Sequence, residues 1–215
     1  MLQLVITGAS GGLGLALAAA FHRPQWQLAT PSHAELDVTD AAAVRGFFAS
    51  RRVDLLVCAA GLTRDAPLGR LAECAWDEVI AVNFGAAQAC AAAALAGMLA
   101  RGSGHIVFIS SFAARHPQPG QAAYATAKAG LLGLTQQLAA RHGGHGVRVN
   151  AILPGFLETP MTRPVAPARR AAVLAEHALG TFNTPAAVAG FIHYLHHQLP
   201  HTSGQFFQLD SRPAT

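Results

Sequence analysis

The sequence predicts an α/β fold built on a doubly wound parallel sheet with helices on both faces. Short apolar runs alternate with helical patterns along the chain, as in repeated strand–helix–strand units. The runs are apolar at consecutive positions, which is typical of parallel strands that helices cover on both sides. We expect strands at Leu2–Thr7, Gln27–Thr30, Ala34–Leu36, Asp54–Cys58, His105–Ser110, Arg148–Leu153 and Gln205–Leu209.

The helical patterns are longer, and one of them carries a clear start signal. Thr184 is a good N-cap, and Pro185 follows at the first helical position, where no N–H is needed. Residues 156–180 are rich in Pro and Arg and poorly periodic, which predicts a mobile substrate lid. We expect helices at Gly12–Phe21, Asp40–Ser50, Trp76–Leu99, Gln121–Arg141 and Thr184–His197.

Composition limits the classes of protein that fit. The chain has 215 residues, 52% hydrophobic and 12% charged, which fits a single domain over residues 1–215. Gln88 and Gly97 interrupt the most membrane-like run, Ala86–Ala100, so we expect no membrane span. The net charge of +4 comes from scattered arginines, which argues against nucleic-acid binding. Three cysteines without CxxC spacing and no basic N-terminal region predict a cytoplasmic protein.

A glycine-rich turn, TGASGGLG over residues 7–14, lies between the first expected strand and the first expected helix. Glycines let the backbone approach a pyrophosphate, and a helix N-terminus offers free N–H groups and partial positive charge. The alternative is a plain tight turn, since the spacing TGxxxGxG differs from the commoner GxGxxG. The position favours a Rossmann-like dinucleotide site at Gly8, Ser10, Gly11, Gly12, Leu13 and Gly14.

Tyr124 and Lys128 are four residues apart on an expected helix, so their side chains share one face. A nearby ammonium favours tyrosinate and should lower the pKa of the phenol, which could then exchange a proton with an alkoxide. Lys128 is the single lysine among fifteen basic residues, which suggests a role that arginine cannot fill. Ser111 stands at the carboxyl end of a strand, where its hydroxyl could hold a carbonyl oxygen. The alternative is a surface Tyr–Lys pair.

Together with TGASGGLG, Ser111 and the Tyr124–Lys128 pair, four further motifs complete a family pattern: Asp37-Val38, Cys58-Ala59-Ala60-Gly61, Asn83 and Pro154-Gly155. In order and spacing, this set resembles the short-chain dehydrogenase/reductase family. Ser111 precedes Tyr124 by thirteen residues, the usual family spacing, which selects Ser111 over Ser110. The resemblance implies carbonyl–alcohol hydride transfer, with Ser111, Tyr124 and Lys128 as catalytic residues and Asn83 supporting a proton relay to Lys128.

The resemblance also implies which residues contact the cofactor. Asp37 would bond the adenine with Val38 beside it, and Ala60 and Gly61 would pass the adenosine ribose. Lys128 would bond the nicotinamide ribose. The residues expected to border the nicotinamide, besides Tyr124 and Asn83, are Pro154, Gly155 and Thr159.

Three departures from the family pattern stand out. Cys58-Ala59-Ala60-Gly61 replaces Asn-Asn-Ala-Gly, and Asp210-Ser211-Arg212 replaces Asp-Gly-Gly near the C-terminus. Only Pro31-Ser32-His33 separates the second and third expected strands, where most relatives carry a helix. We therefore expect the helix between strands 2 and 3 to be missing.

The end of the second strand bears on the choice of cofactor. NAD enzymes of this type usually place a carboxylate there to hold the ribose hydroxyls. Residues 29–33 contain none, whereas Thr30, Ser32 and His33 could donate hydrogen bonds to a 2′-phosphate. We therefore expect NADPH, with NADH possible.

The segment PGFLETPMTR, residues 154–163, is similar to that of β-ketoacyl carrier-protein reductases. A β-ketoacyl thioester is thus the leading substrate, and another ketone, a quinone or a pteridine are the alternatives. The alternatives to an enzyme are a dinucleotide-binding sensor and a partner subunit in a hetero-oligomer. Phe112, Phe156 and Met161 would form an apolar pocket. Arginines at the mouth of this pocket would suit an acidic acyl carrier protein. The alternative is that they form an ordinary solvated surface. These residues are Arg101, Arg115, Arg163, Arg169 and Arg170.

Two further expectations concern assembly and metals. The long helices over Trp76–Leu99 and Gln121–Arg141 carry more alanine than one buried face needs, and the matching helices of relatives form a dimer bundle. We expect a homodimer or homotetramer. His193 and His197 are four apart on a helix, but no carboxylate or cysteine accompanies them, so we expect no metal site.

Overall fold

A computed structural model describes residues 1–213 and contains one parallel sheet in that range. The strands are β1 (Leu2–Thr7), β2 (Trp26–Ala29), β3 (Leu55–Cys58), β4 (Gly104–Ile109), β5 (Val147–Leu153) and β6 (Phe206–Gln208). Their order across the sheet is β2-β1-β3-β4-β5-β6, so the order reverses between β1 and β3. This reversal confirms the expected doubly wound α/β fold, and it is the point where such sheets bind ligands.

Helices cover both faces of the sheet, and each face has its own apolar core. The helices are α1 (Gly12–Ala20), α2 (Ala41–Ala49), α3 (Glu73–Ile80), α4 (Ala86–Arg101), α5 (Ala122–His142), α6 (Pro167–Ala175) and α7 (Pro185–Gln198). On one face α1 and α7 bury Leu17 and Ile192 against strand residues such as Val57. On the other face Phe48 of α2 and Met98 of α4 pack against alternate strand residues, together with α5.

The expected strand at Ala34–Leu36 is wrong: these residues form a turn. Glu35 folds back and accepts hydrogen bonds from the N–H and the hydroxyl of Ser32, both at 2.8 Å. Such local bonds compete with pairing to a neighbouring strand. The expected absence of a helix is confirmed, since none lies between Ala29 and Ala41. Because both elements are missing there, β2 is an edge strand.

The expected helix at Trp76–Leu99 is longer and less regular than the sequence predicts. It runs continuously over Glu73–Arg101, with a π-helical turn at Ala81–Gly85 between α3 and α4. By length and composition this helix could cross a membrane, and 39% of its most apolar window is buried inside the protein. Core helices of globular proteins pass the same test, so the finding gives only weak support for a membrane span.

The lid region contains a helix that the sequence did not reveal. Within residues 156–180, α6 begins with Pro167 at its first position. Only Val173 of α6 is buried, so the apolar periodicity that identifies a helix is nearly absent. At the start of α7, Thr184 accepts a hydrogen bond from the Ala187 N–H at 3.1 Å, which confirms the predicted N-cap.

Candidate active site

A cleft of about 180 Å³ lies at the carboxyl edge of the sheet, beside the point where the strand order reverses. It collects residues that follow β1, β3, β4 and β5, together with the start of α1 and one face of α5. The sequence-predicted site residues that line it are Gly8, Gly11, Gly12, Leu13, Gly14, Gly61, Asn83, Ser111, Tyr124, Lys128, Pro154, Gly155 and Thr159.

The turn after β1 has a shape that only glycine allows. Gly8 has a φ of +71°, and a Cβ there would lie 2.6 Å from the backbone of Ala60. A Cβ on Gly14 would lie 2.3 Å from the carbonyl oxygen of Gly8. Gly11 caps α1 without any side-chain hydrogen bond to its first amides. These amides therefore remain available to an anion, as a pyrophosphate requires.

Thr159 packs directly against Gly12. A Cβ on Gly12 would lie 2.7 Å from Thr159 Cγ2, so a larger residue would collide with Thr159. Thr159 is held by Thr162, whose hydroxyl accepts from the Thr159 N–H at 3.0 Å and donates to the carbonyl oxygen of Leu157 at 2.6 Å. The loop after β5 is thus ordered by its own threonines.

Asn83 lies in the π-helical turn and is buried. Its Nδ2 donates to the carbonyl oxygens of Leu62, at 2.8 Å, and Val79, at 2.9 Å. Its Oδ1 has no hydrogen-bond partner, and a Cβ on Gly61 would lie only 2.7 Å from it. A buried acceptor without a partner is uncommon, and π-helical turns often mark functional sites. Both features make Asn83 a candidate for contact with a bound group or water.

Lys128 is 4% exposed, and its Nζ donates to the carbonyl oxygen of Ile109 at 2.9 Å. Burial disfavours the charged form and lowers the pKa of Lys128 to about 8. The backbone of Lys128 is fixed as well, because the Ser110 hydroxyl donates to the carbonyl oxygen of Lys128 at 2.8 Å. The ammonium is therefore held in one position and can exchange its proton near neutral pH.

Tyr124 lies on the same face of α5 as Lys128, whose Nζ is 5.6 Å from the centre of the phenol ring. The expected lowering of the phenol pKa is wrong for this structure. Burial raises the pKa of Tyr124, the neighbouring Ser111 hydroxyl opposes the rise, and the charge of Asp65 adds to it. Tyr124 is therefore protonated at rest. Ser111 itself accepts from the Ala113 N–H at 3.1 Å, which orders its turn.

The remaining predicted cofactor residues lie outside this cleft. Ser10 is exposed in the glycine turn, and the Ala60 N–H points at the Thr7 hydroxyl at 3.5 Å. Asp37 accepts hydrogen bonds from the N–H and hydroxyl of Thr39, while Val38 packs against the core. No observation here tests their contact with a cofactor, so these roles stay predictions.

Thr30 and Ser32 lie beside Glu35, a carboxylate just outside residues 29–33. Glu35 lines a surface groove with Ala29, Thr30 and Pro31. The hydrogen bonds from Ser32 keep its pKa below the usual value, so Glu35 is ionised near neutral pH. The end of β2 therefore does have an acidic neighbour, supplied by the turn that replaces the missing strand.

The expected apolar pocket is only partly formed. Met161 lines the cleft, but Phe112 packs beneath Arg212 and Phe156 against Phe182. The arginines also disperse. Arg101 donates to the carbonyl oxygen of Val53, just before β3, so its expected place at the mouth is wrong. Arg169 donates to Gln118 at 2.6 Å, and Arg170 pairs with Glu158.

Several cleft residues were missed by sequence reasoning. Ser110 does not have the family spacing to Tyr124 that Ser111 has, and the others are apolar or lack a motif of their own. Their only signal is position, since each ends or follows a strand at the carboxyl edge, near a residue that the sequence predicts. They are Ala59, Ile109, Ser110, Leu157, Pro160 and Thr162.

Comparison with known proteins agrees with this geometry. The family model for short chain dehydrogenase matches residues 29–170. A 3-oxoacyl-[acyl-carrier-protein] reductase of Thermotoga maritima is 39% identical over 74% of this chain and 65% of its own length. The same-named reductase of Salmonella typhimurium is 31% identical over 89% of this chain and 88% of its own.

Two further similarities extend the comparison. A (3R)-3-hydroxyacyl-CoA dehydrogenase of Canis lupus familiaris is 42% identical over 75% of this chain and 65% of its own. The crystal structure of a Beutenbergia cavernae protein, assigned as an NAD(P)-dependent gluconate 5-dehydrogenase with NADP bound at low occupancy, superposes with a TM-score of 0.92. It is 30% identical, covering 98% of this chain and 95% of that one. The chain therefore belongs to the short-chain dehydrogenase family of oxidoreductases.

Proposed function

We propose that this protein is an NAD(P)H-dependent reductase that converts a carbonyl to an alcohol, with a β-ketoacyl thioester as its substrate class. The observation that carries the proposal is the buried Lys128 ammonium, fixed by the Ile109 carbonyl in the same cleft as Tyr124, Ser111 and the glycine turn. A buried cation beside a protonated phenol has no structural need in an apolar core. Such a cation does suit an active site in which Lys128 returns a proton to the Tyr124 phenolate.

The cleft fits a dinucleotide. The uncapped amides at the start of α1 would hold the pyrophosphate. The missing Cβ of Gly12 also lets Thr159 pack against this turn. Lys128 would bond the nicotinamide ribose, while Pro154 and Gly155 would border the ring together with Thr159. When bound, the nicotinamide supplies the hydride for the carbonyl carbon.

The chain's own residues then handle the oxygen and its proton. Ser111 donates a hydrogen bond to the carbonyl oxygen and so orients it. Tyr124, protonated at rest because of its burial, gives its phenolic proton to the same oxygen as negative charge develops there. Lys128 then stabilises the phenolate and returns a proton, which its lowered pKa near 8 makes easy. Asn83 Oδ1, which lacks a partner, can hold the water that connects Lys128 to solvent.

NADPH is the proposed cofactor. Thr30 and His33 can donate hydrogen bonds to a 2′-phosphate, and the superposed Beutenbergia protein contains NADP. Both donors of Ser32, its N–H and its hydroxyl, are bonded to Glu35 instead. Glu35 opposes this preference, because an ionised carboxylate near Ser32 repels the phosphate. The selectivity should therefore be moderate, with NADH as a slower alternative.

The proposed substrate follows from the relatives and from residues 154–163. Two relatives are reductases of 3-oxoacyl groups on acyl carrier protein. Arg163 and Arg169 in the lid region carry positive charge toward an acidic carrier. As in the family generally, we propose a cytoplasmic homodimer or homotetramer, built on the alanine-rich faces of α4 and α5 that the sheet leaves uncovered.

The test is NADPH oxidation with acetoacetyl thioesters of a carrier protein and of coenzyme A, with simple ketones, quinones and pteridines as comparison substrates. We expect the thioesters to give the highest kcat/KM. No turnover with any carbonyl, while NADPH still binds by fluorescence titration, would replace the enzyme by a dinucleotide-binding sensor or partner subunit.

A further inference from the structure

The C-terminal segment Asp210-Ser211-Arg212 departs from the family's Asp-Gly-Gly, and it returns across the carboxyl edge after β6. Arg212 is only 8% exposed, so a full positive charge is buried where the pattern calls for glycine. A buried charge is tolerated only when it is paired and hydrogen-bonded. The partners of Arg212 therefore indicate what its side chain holds together.

The first partner is Asp210, whose side chain is completely buried. Arg212 donates to Asp210 Oδ2 through Nε, at 2.7 Å, and through a terminal nitrogen, at 2.6 Å. Gln208 Nε2 donates to Asp210 Oδ1 and to the carbonyl oxygen of Arg212, both at 2.8 Å. Asp210 also fills the space beside Gly155, where a Cβ would lie 2.5 Å from Asp210 Cβ. The pair is thus packed directly behind a cleft residue.

The second partner is the turn that carries Ser111. The guanidinium carbon of Arg212 lies 3.4 Å above the ring centre of Phe112, the next residue along the chain. On that turn, Phe112 also stacks on His116, with 4.5 Å between ring centres. The planar cation covers Phe112 as a cation–π partner, so the position of the turn depends on the position of Arg212.

The third partner is the end of the lid. Glu176 Oε2 lies 3.7 Å from a terminal nitrogen of Arg212, and His177 Nε2 lies 3.7 Å from Asp210 Oδ2. The backbones of the two segments are also hydrogen-bonded, since the Ala178 N–H donates to the carbonyl oxygen of Ser211 at 3.1 Å. Residues 176–178 immediately follow α6, so the C-terminal segment ties down the lid at its far end.

We propose that Arg212 is a positioning residue that couples the lid, residues 156–180, to the turn that carries Ser111. The inference rests on the proposed function for its catalytic consequence, though not for its structural one. Only a guanidinium can both grip a carboxylate with two N–H groups and lie flat on an aromatic ring. When the lid is in place, Ser111 is held where a carbonyl oxygen would meet it.

The test compares Arg212→Met and Arg212→Lys with Arg51→Met. Arg51 is a matched control for hydrogen exchange, because its guanidinium carbon lies 4.1 Å above the ring of Phe47, on α2 and away from the cleft. It does not serve as a control for NADPH binding, since it lines the groove beside Thr30. Amide hydrogen exchange should speed up by about tenfold or more in both residues 111–116 and 156–180 for Arg212→Met. The lysine variant should show the same two segments changing less, and Arg51→Met should change neither.

Kinetics supply the second readout. For Arg212→Met we expect KM for the carbonyl substrate to rise by about tenfold and the Kd for NADPH to stay within about twofold. Faster exchange in only one of the two segments would overturn the coupling. An unchanged KM in a variant that exchanges faster in both segments would overturn the role of Arg212 as a positioning residue for Ser111. If Arg212→Met does not fold, Arg212→Lys decides by the same criteria. Absence of turnover in the unmodified protein would sink the proposed function, while the exchange data would still judge the coupling.

Discussion

The two ends of the sheet bury nitrogen bases in opposite ways. At the carboxyl edge, Lys128 makes one hydrogen bond and faces an open cleft, and Asn83 Oδ1 has no partner. At the amino edge, His105, Asn150 and His196 form a closed chain of hydrogen bonds between β4, β5 and α7. The carboxyl edge leaves polar groups facing a cleft, whereas the amino edge bonds His105, Asn150 and His196 to one another in the protein interior. Within residues 1–213, three other ring nitrogens packed near His196 are buried without a partner: Trp26 Nε1, His193 Nε2 and His197 Nε2.

The amino-edge chain has a single consistent arrangement of protons. Asn150 Oδ1 accepts from the Gln205 N–H at 3.1 Å, so its Nδ2 is the donor to His105 Nε2, also at 3.1 Å. His105 must then carry its proton on Nδ1, from which it donates to His196 Nδ1 at 3.2 Å. Both rings are neutral in this arrangement. The comparison teaches that His105 is held neutral because both of its ring nitrogens are hydrogen-bonded, whereas Lys128 remains able to exchange a proton because it makes one bond and faces the cleft.

The strongest way to break the comparison is to remove the usable proton. Tyr124→Phe should lower kcat by about 10³-fold, because the alkoxide loses its proton donor, while NADPH binding stays nearly unchanged. Turnover and fluorescence titration measure the two effects. Tyr194→Phe is the matched control, since Tyr194 is 53% exposed on α7. Comparable activity in the two variants would remove Tyr124 from the mechanism.

Acid should break the amino edge. Burial lowers the pKa of His196 to about 3 and lowers that of His105 as well. The folded state therefore binds fewer protons than the unfolded state below about pH 6.5, and stability falls as pH drops from 6.5 toward 3. His196 contributes a slope of up to about 1.4 kcal/mol per pH unit over that window, and the lowered pKa of His105 acts in the same direction.

Urea unfolding at pH 7, 6 and 5 measures this slope. His196→Gln should reduce it by about one proton's share, because glutamine can still accept from His105 but does not titrate. His22→Gln, at an exposed position, is the control and should leave the slope unchanged. A slope equal in all three proteins would mean that the closed chain is not what acid disrupts.

At the carboxyl edge, removing a titratable side chain should raise the stability of the protein and abolish its activity. The pKa of Lys128 is depressed to about 8 from 10.5, so its buried charge costs stability below pH 8, and the cost disappears as pH rises to 10.5. Lys128→Met should therefore unfold at a higher temperature at pH 7 while losing activity, with a gain of roughly 1–3 kcal/mol. Thermal unfolding of both proteins at pH 7 and pH 10 measures this difference in stability. A stability gain of Lys128→Met that grows with pH would contradict the lowered pKa of Lys128.

The smallest effect should be on cofactor choice. Glu35→Gln removes a negative charge beside Ser32, so the preference for NADPH over NADH should rise by about two- to fivefold in kcat/KM. Glu73→Gln, at the exposed start of α3, is the matched control. A fall in the ratio for Glu35→Gln would show that Glu35 assists the 2′-phosphate indirectly, through Ser32.

Local patterns account for what the sequence could predict. The glycine turn, the Tyr124–Lys128 spacing and the Thr184 cap are short-range features, and the structure has all three geometries. Ala34–Leu36 failed because Glu35 and Ser32 close a turn that propensity does not describe. The place of Phe112 beneath Arg212 depends on a contact across a hundred residues, for which no local signal exists. The single domain over residues 1–215 and the site roles stay predictions.

The π-helical turn at Ala81–Gly85 has a consequence for how this helix can change. It adds a residue to one helical turn, and each residue rotates an α-helix by about 100°. The turn thus sets the phase between α3, which packs on α5, and α4, which packs on β3 and β4. Removing one residue there would regularise the hydrogen bonding and yet rotate Asn83 out of its pocket. A regular α-helix here would misplace Asn83. The phase between α3 and α4 therefore depends on the number of residues in the turn, which a point substitution does not change.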